Sequence, residues 1–188
     1  MSLTKQKIIQ TAVRLFNEKS FSATSVQDIA DALNVTKAAL YYYVSSKEEI
    51  LYEIFDHAMT TAELRLKNLM GQKMPVEQLI HKIIYNQIMA FIDEMPNIAI
   101  FFSEKANLLP ENLKAINIRE RKYENKIASV LEEGIKKNIF KDNDILPTVY
   151  AIIGMCNWLY HWYKPDGRLK PEEIARLYSD IILNGILK

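Results

Sequence analysis

A single cysteine, few glycines and no surplus of either charge close off most chemistries for this chain. Cys156 has no partner for an internal disulfide, which fits a reducing cytoplasm, and its apolar surroundings mark a buried small hydrophobe rather than a redox sensor. His57, His81 and His161 lie too far apart for an HExxH or paired Cys/His pattern, so no metal site is expected. Gly-rich phosphate loops, GxSxG elbows and CxxC pairs are missing, no cofactor is implied, and no residue speaks for an enzyme. Acids are plentiful, but at i, i+4 from Lys or Arg, the spacing of solvated ion pairs. The chain starts without the long apolar run of a signal peptide, and Met1-Ser2-Leu3 reads as a short leader. Ile145–Tyr163 carries no Lys, Arg, Asp or Glu and is long enough to span a bilayer. It contains Pro147, Asn157 and His161, however, and has no second span to pair with. It reads as a helix buried in a bundle or a subunit interface, not in a membrane.

What remains is helical. Only 5 Gly and 6 Pro occur in 188 residues, alongside 49% hydrophobic and 25% charged residues, the balance of a soluble all-α chain. A net charge of +1 announces no nucleic-acid binder, so any affinity for phosphate must come from a local patch.

Lys5, Lys7, Arg14, Lys19, Lys37 and Lys47 make only a modest patch among several acids, and the case for DNA rests on a motif, SVQDIADALNVTKAALYYYVSSK, from Ser25 to Lys47. Val26, Ile29, Ala30 and Leu33 form the apolar stripe of a short helix, and Ser25 with Asp28 makes a capping box at its start. Asn34 sits where the chain must turn, a residue that tolerates the left-handed conformation. Thr36 caps a second short helix that buries Ala39 and Leu40 and exposes Lys37, Tyr42 and Tyr43. Ser46 with Glu49 repeats the capping box and launches a longer helix through to about Met70. Two short helices about a tight turn, with donors on the second, is the geometry that enters a DNA major groove.

The stretch TAVRLFNEKSFSATSVQDIADALNVTKAALYYYVSSKEEIL resembles the N-terminal domain of TetR-family transcriptional regulators. It shares the Ala-x-x-Leu-Phe helix, the Phe-x-x-Thr-Ser-Val segment, the Ile-Ala-x-x-x-Asn-Val turn and the aromatic-rich reading helix ending at Ser-Lys-Glu. Ala38, Tyr43 and Val44 depart from the commoner Gly, His and Phe. The resemblance implies a three-helix DNA-binding domain over residues 1–46 and a larger ligand-binding and dimerisation domain over 47–188, about nine helices in all. It also implies an operator-facing set of Thr24, Ser25, Thr36, Lys37, Ala38, Tyr42, Tyr43 and Lys47. Within that set Lys37 and Tyr42 would contact DNA, with Thr24, Tyr43 and Lys47 on phosphates.

Beyond the break at Gly71–Pro75, apolar periodicity predicts a helix from Val76 to near Met95 and a shorter one from Ile98 to about Leu108. Further helices are expected over Glu111–Lys137, Asp144–Tyr163 and Pro171 to about Gly185. Asn86, Gln87, Arg119, Tyr123, Asn157 and His161 interrupt apolar faces, either as interhelical hydrogen bonds or as the polar points of a ligand cavity. The expected cavity set is Ile84, Met89, Phe91, Phe102, Arg119, Tyr123 and Trp158. Gly154, Trp158, Ile174, Leu177, Tyr178 and Ile181 are expected to face a second copy in a four-helix homodimer interface.

A second resemblance runs from Asn157 to Ile174. Its Trp158, Tyr160, Trp162-Tyr163, Pro165, Gly167, Leu169 and Pro171-Glu172-Glu173-Ile174 are similar to the ending of TetR-family regulators of fatty-acid and sterol catabolism, which acyl-CoA thioesters release from DNA. The expectation is therefore a cytoplasmic repressor, released from operator DNA by a small hydrophobic inducer such as an acyl-CoA. Lys105, Lys114, Arg119, Arg121 and Lys122 are the cations available to its phosphates. The alternatives are an efflux-type regulator that binds aromatic or cationic compounds, and a ligand-binding protein that has lost DNA.

Overall fold

The computed structural model describes residues 3–187. Met1 and Ser2, part of the expected leader, lie outside them. Among the described residues the chain forms α1 Lys5–Lys19, α2 Val26–Ala32, α3 Lys37–Tyr41, α4 Lys47–Met70, α5 Val76–Asp93 and α6 Met95–Ser103. After a 3-10 turn at Lys105–Asn107 come α7 Pro110–Lys136, α8 Ile145–Asn157, α9 Leu159–Trp162 and α10 Pro171–Ile186. No strand is formed among these residues, and the one isolated bridge joins Phe140 to Leu187. The all-α reading holds, and so does its count of about nine, because α9 is a single turn of 4 residues continuing α8 past Trp158.

The ends of the helices follow from their capping chemistry. Thr4 caps α1, its hydroxyl accepting from the Lys7 N–H at 3.3 Å. Ser25 and Asp28 complete the expected capping box on α2. Asn34 takes up the left-handed turn at φ 54°, and Thr36 accepts from the Ala39 N–H at 3.1 Å to start α3. The second expected box is only half made. Ser46 accepts from the Glu49 N–H at 3.0 Å, but the Glu49 carboxylate turns to the Ser45 N–H and hydroxyl, each at 2.6 Å. The helix expected from Ile98 to Leu108 begins earlier, at Met95, and ends at Ser103. Pro96 falls in its first turn, where a missing N–H costs nothing. The uncharged helix is interrupted at Trp158 and resumes for the single turn of α9, ending at Trp162.

Two compact units result: residues up to Met59 with Met95–Ile118, and Thr60–Glu94 with Arg119 onward. The boundary expected at residue 46 thus falls inside the first unit. The reason is apolar packing. Ile50, Leu51, Ile54 and Phe55 from α4, and Ile100, Leu108 and Ile116 from the 95–118 segment, share one buried cluster with Ile8, Phe16, Ile29 and Leu40. Phe55 stacks on Phe101 at 4.7 Å. In the second unit α5 packs along α10 and also against α8. Ile80, Ile83, Ile84 and Ile88 of α5 are buried there, as are Ile174 and Ala175 of α10 and Val149 and Ile152 of α8. Cys156 is buried among them, and burial pushes its thiol up to about 12, which removes the reactive thiolate.

Gly134 on α7 is required by close packing. A Cβ there would lie 2.1 Å from the ring of Phe140, which is only 1% exposed. Gly134→Ala should therefore destabilise the fold by about 1–3 kcal/mol through overpacking. The test is thermal unfolding followed by circular dichroism, where an unchanged melting temperature would show that Phe140 has room to move.

Candidate nucleic-acid interface

The reading helix α3 has 5 residues, Lys-Ala-Ala-Leu-Tyr, is capped by Thr36, and fully buries only Leu40. Its open side carries Lys37, Ala38 and Tyr41, followed by Tyr42 at its C-terminal end, which is 85% exposed. The Lys37 ammonium lies 5.8 Å from the Tyr41 ring centre, and Tyr42 meets Tyr43 edge to face at 5.3 Å. Tyr43 is half-buried and packs against the core, so its ring anchors the end of α3 while Tyr42 stands clear. Ser25 and Thr36 are exposed helix caps, each placing a hydroxyl at a helix N-terminus. Lys37, Ala38, Tyr42, Ser25 and Thr36 are thus all exposed on one short motif. Tyr41, 45% exposed on the same helix, is a further candidate. It is not among the residues expected from the sequence, and the placement of α3 turns it outward.

Two of the expected phosphate ligands are engaged elsewhere. Thr24 is 1% exposed, and its hydroxyl donates to the Ser20 carbonyl at 2.7 Å. It belongs to the turn between α1 and α2, not to the surface. Lys47 donates to the carbonyls of Phe21 and Thr24, both at 2.8 Å, and its ammonium sits 4.1 Å from the Phe21 ring centre. Two of its three N–H donors are therefore used within the protein, and a cation over an aromatic face adds to the hold.

Carboxylates brace the motif from below. Lys19 pairs with Asp28 at 2.9 Å, joining the end of α1 to the start of α2. The Ser25 hydroxyl, then the Ser25 N–H and Lys19, hold the Asp28 carboxyl well below its ordinary range. At the start of α4 the Ser45 hydroxyl and N–H, with Lys5, lower Glu49 from 4.5 to about 2. Lys5 also pairs with Glu53 at 2.7 Å, fastening α1 to α4 across forty-eight positions of sequence. No local spacing in the sequence reveals a tie of that reach.

The residues expected to line a ligand cavity divide between the two units. Ile84 and Phe91 are buried on α5, with Met89 half-buried beside them. Phe102 belongs to the first unit and is 38% exposed. Trp158 is 61% exposed, so it walls no cavity in this protomer, and it lies against His161 with ring centres 4.0 Å apart. Arg119 grips Glu63 through two N–H···O bonds of 3.0 and 2.8 Å and donates to Thr60 at 2.9 Å. Arg119 lowers the Glu63 carboxyl in turn, and it serves as a structural tie between α4 and α7. Burial raises the Tyr123 phenol, which lies near Cys156. Among the described residues no group of His, Cys, Asp and Glu is placed to hold a metal ion, and no helix is long and apolar enough to cross a membrane.

These positions separate the roles of the two lysines. Lys37→Ala should lower the slope of log affinity against log salt by about 0.9, the loss of one neutralised phosphate. Lys47→Ala should weaken binding and lower the melting temperature while leaving that slope unchanged, because its ammonium holds the protein's own carbonyls. Fluorescence anisotropy over a salt series reads both, and a slope cut equally by the two variants would place Lys47 on a phosphate after all.

The same architecture is found in characterised proteins. Residues 8–54 match the family described as bacterial regulatory proteins, tetR family, and residues 72–186 match the tetracyclin repressor-like C-terminal domain. The HTH-type transcriptional repressor KstR2 of Mycolicibacterium smegmatis is 26% identical over 97% of this chain and 90% of its own length. The TetR family transcriptional regulator PfmR from Thermus thermophilus superposes with a TM-score of 0.87 at 33% identity, covering 94% of this chain and 97% of that one. AibR, solved in complex with isovaleryl coenzyme A and operator DNA, gives a TM-score of 0.85 at 26% identity over 94% of this chain and 96% of its own. These relatives are regulators, not enzymes. With both domains matched and the reading helix in place, the chain belongs to the TetR family of DNA-binding transcriptional repressors.

Proposed function

We propose that this repressor works in the cytoplasm as a homodimer and leaves its operator when an acyl-CoA thioester binds its C-terminal domain. The observation that carries the ligand class is the AibR complex, in which a protein alike over 94% of this chain holds isovaleryl coenzyme A. The Trp158-to-Ile174 segment points the same way. The second unit also offers chemistry that suits such a ligand. Its α5 is lined by Ile83, Ile84, Ile88 and Phe91, apolar surface suited to an acyl chain. Gln87 Oε1 on α5 and Ser179 Oγ on α10 are buried without a hydrogen-bond partner. Buried polar atoms normally pair, and the amide N–H groups of pantetheine are donors of the kind Gln87 lacks. Ligand binding would favour a conformation that fits the operator poorly, transmitted along the unbroken α4.

The dimer rests on a row of exposed apolar side chains. Leu146, Tyr150, Gly154 and Trp158 recur every fourth residue along α8 and its C-cap, and the side chains are 47, 50 and 61% exposed. Leu177 and Ile181 add 48 and 52% exposure on α10. A Cβ at Gly154 would meet nothing within 4 Å, leaving room for a facing helix. Tyr178 is half-buried at the margin of this face. Ile174 is fully buried in its own protomer, so it lies beneath the expected interface and does not form part of it. Apolar surface of this extent marks a contact site, and twofold pairing would set two reading helices on half-sites about 34 Å apart.

Two experiments check these readings. Ile181→Asp with Leu177→Asp should give a folded monomer in light scattering while the unaltered chain gives a dimer, and a monomer from the unaltered chain would end the dimer reading. Isovaleryl-CoA and longer acyl-CoAs should raise the melting temperature with saturation and release the DNA flanking the protein's own gene. Release by hydrophobic cations, with none by acyl-CoAs, would assign the efflux-type ligand class instead.

A further inference from the structure

The turn between α1 and α2 is held in a conformation that its own residues do not favour. Ser20 ends α1 at φ 71° and ψ 161°, a region open to glycine and costly for any residue with a Cβ. Such a residue persists only where its surroundings over-determine it. Here both backbone groups of the next residue are held. The Phe21 N–H donates to Glu104 Oε1 at 3.1 Å, and the Phe21 carbonyl accepts from Lys47 at 2.8 Å. The Ser20 carbonyl accepts from Thr24 Oγ1 at 2.7 Å, and the Phe21 ring packs edge to face on Phe16 at 5.2 Å.

Glu104 is the unexpected member. It is 7% exposed, the one buried charged side chain among the described residues, and it lies 83 positions away between α6 and the 3-10 turn. A carboxylate is not buried there for packing, since desolvating it is expensive unless its oxygens are satisfied. They are: Oε1 takes the Phe21 N–H, and Oε2 accepts from Asn107 Nδ2 at 2.7 Å. Asn107 aims the carboxylate, and the carboxylate aims the turn.

We propose that Glu104 is a positioning residue for operator binding: by holding the Phe21 peptide it keeps the strained turn that sets where Ser25 caps α2, and with it the bearing of α3. This rests on the DNA-binding reading of α3 and adds the element that steers it. Both ends of the 95–118 segment continue into the second unit. A shift in this segment would therefore reach the α1–α2 turn through Glu104, alongside the shared apolar core, without passing along the length of α4.

The test uses the full-length chain and four variants: Glu104→Ala, Glu104→Gln, Glu104→Asp and Leu108→Ala. Glu104→Ala should weaken operator affinity about tenfold or more, the scale of a lost charge-assisted hydrogen bond, with the salt slope unchanged. Glu104→Gln keeps an acceptor oxygen and should recover most of the affinity. Glu104→Asp keeps the charge but shortens the reach, so it should bind weakly, with faster hydrogen exchange at the Phe21 amide. Leu108→Ala lightens the same core without touching the Phe21 peptide and should lower the melting temperature while keeping the affinity of the folded protein. Adding Ser20→Gly to Glu104→Asp should restore binding, because glycine needs no restraint at that φ. Wild-type affinity in Glu104→Asp, a Glu104→Gln as weak as the alanine variant, or an equal loss in Leu108→Ala would each overturn the proposal. Absence of operator binding by the unaltered chain would strike the DNA-binding reading itself, and Phe21 amide exchange in Glu104→Asp would still decide whether the carboxylate holds the turn.

Discussion

A helix of five residues forms too few internal hydrogen bonds to keep its shape in water, so α3 exists because of what it rests on. Its one fully buried side chain, Leu40, joins a cluster that draws on α1, α2, α4 and the 95–118 segment. Thr36 supplies the cap at one end, and Tyr43 and Val44 are drawn into the same core at the other. The exposed residues of α3 are therefore positioned largely by apolar burial remote from them. The residues exposed on α3 can be polar and few because the core carries the stability.

Around that core a second layer of order is electrostatic. Lys5 with Glu49 and Glu53, Lys19 with Asp28, and Glu104 with the Phe21 N–H each join separate elements of the fold. Ion pairs this exposed contribute modestly to stability, and their geometry is the more informative property. They fix the relative register of short helices, which apolar contacts alone leave free to slide. The buried Glu104 differs in kind, since a satisfied carboxylate in the core is costly to disturb and so holds one arrangement.

The C-terminal unit is organised on the opposite plan. Its core is nearly all aliphatic along α5 and α10, with Gln87 and Ser179 left as unpaired polar points inside it. Its outer face on α8 and α10 keeps large apolar side chains in solvent. A unit with unpaired polar atoms within and apolar surface without is suited to further contacts in both directions. Among the described residues the buried side-chain atoms without a partner, Glu77 Oε2, Gln87 Oε1 and Ser179 Oγ, all lie in this second unit.

Local chemistry made much of this protein legible from its residues. The Ser25–Asp28 box, the left-handed Asn34, the Thr36 cap and the run of α4 from Lys47 to Met70 are short-range features, settled by propensity and capping within a few residues. The exposure of Lys37 and Tyr42 followed from the same local reading, whereas Tyr43 is half-buried and Tyr41 stands outside. Spacing could not show which polar side chains were free. Thr24 and Lys47 look like phosphate ligands until the fold supplies carbonyls for them, and Arg119 looks like a ligand contact until Glu63 arrives from α4. Ile174 belonged to an apolar stripe wide enough to serve both a core and an interface, and only the packing of α10 decided that it lies inside. Hydrogen bonds within a helical turn are written in consecutive residues; those between helices depend on the whole chain having folded, and there the tertiary structure alone assigned each donor its acceptor.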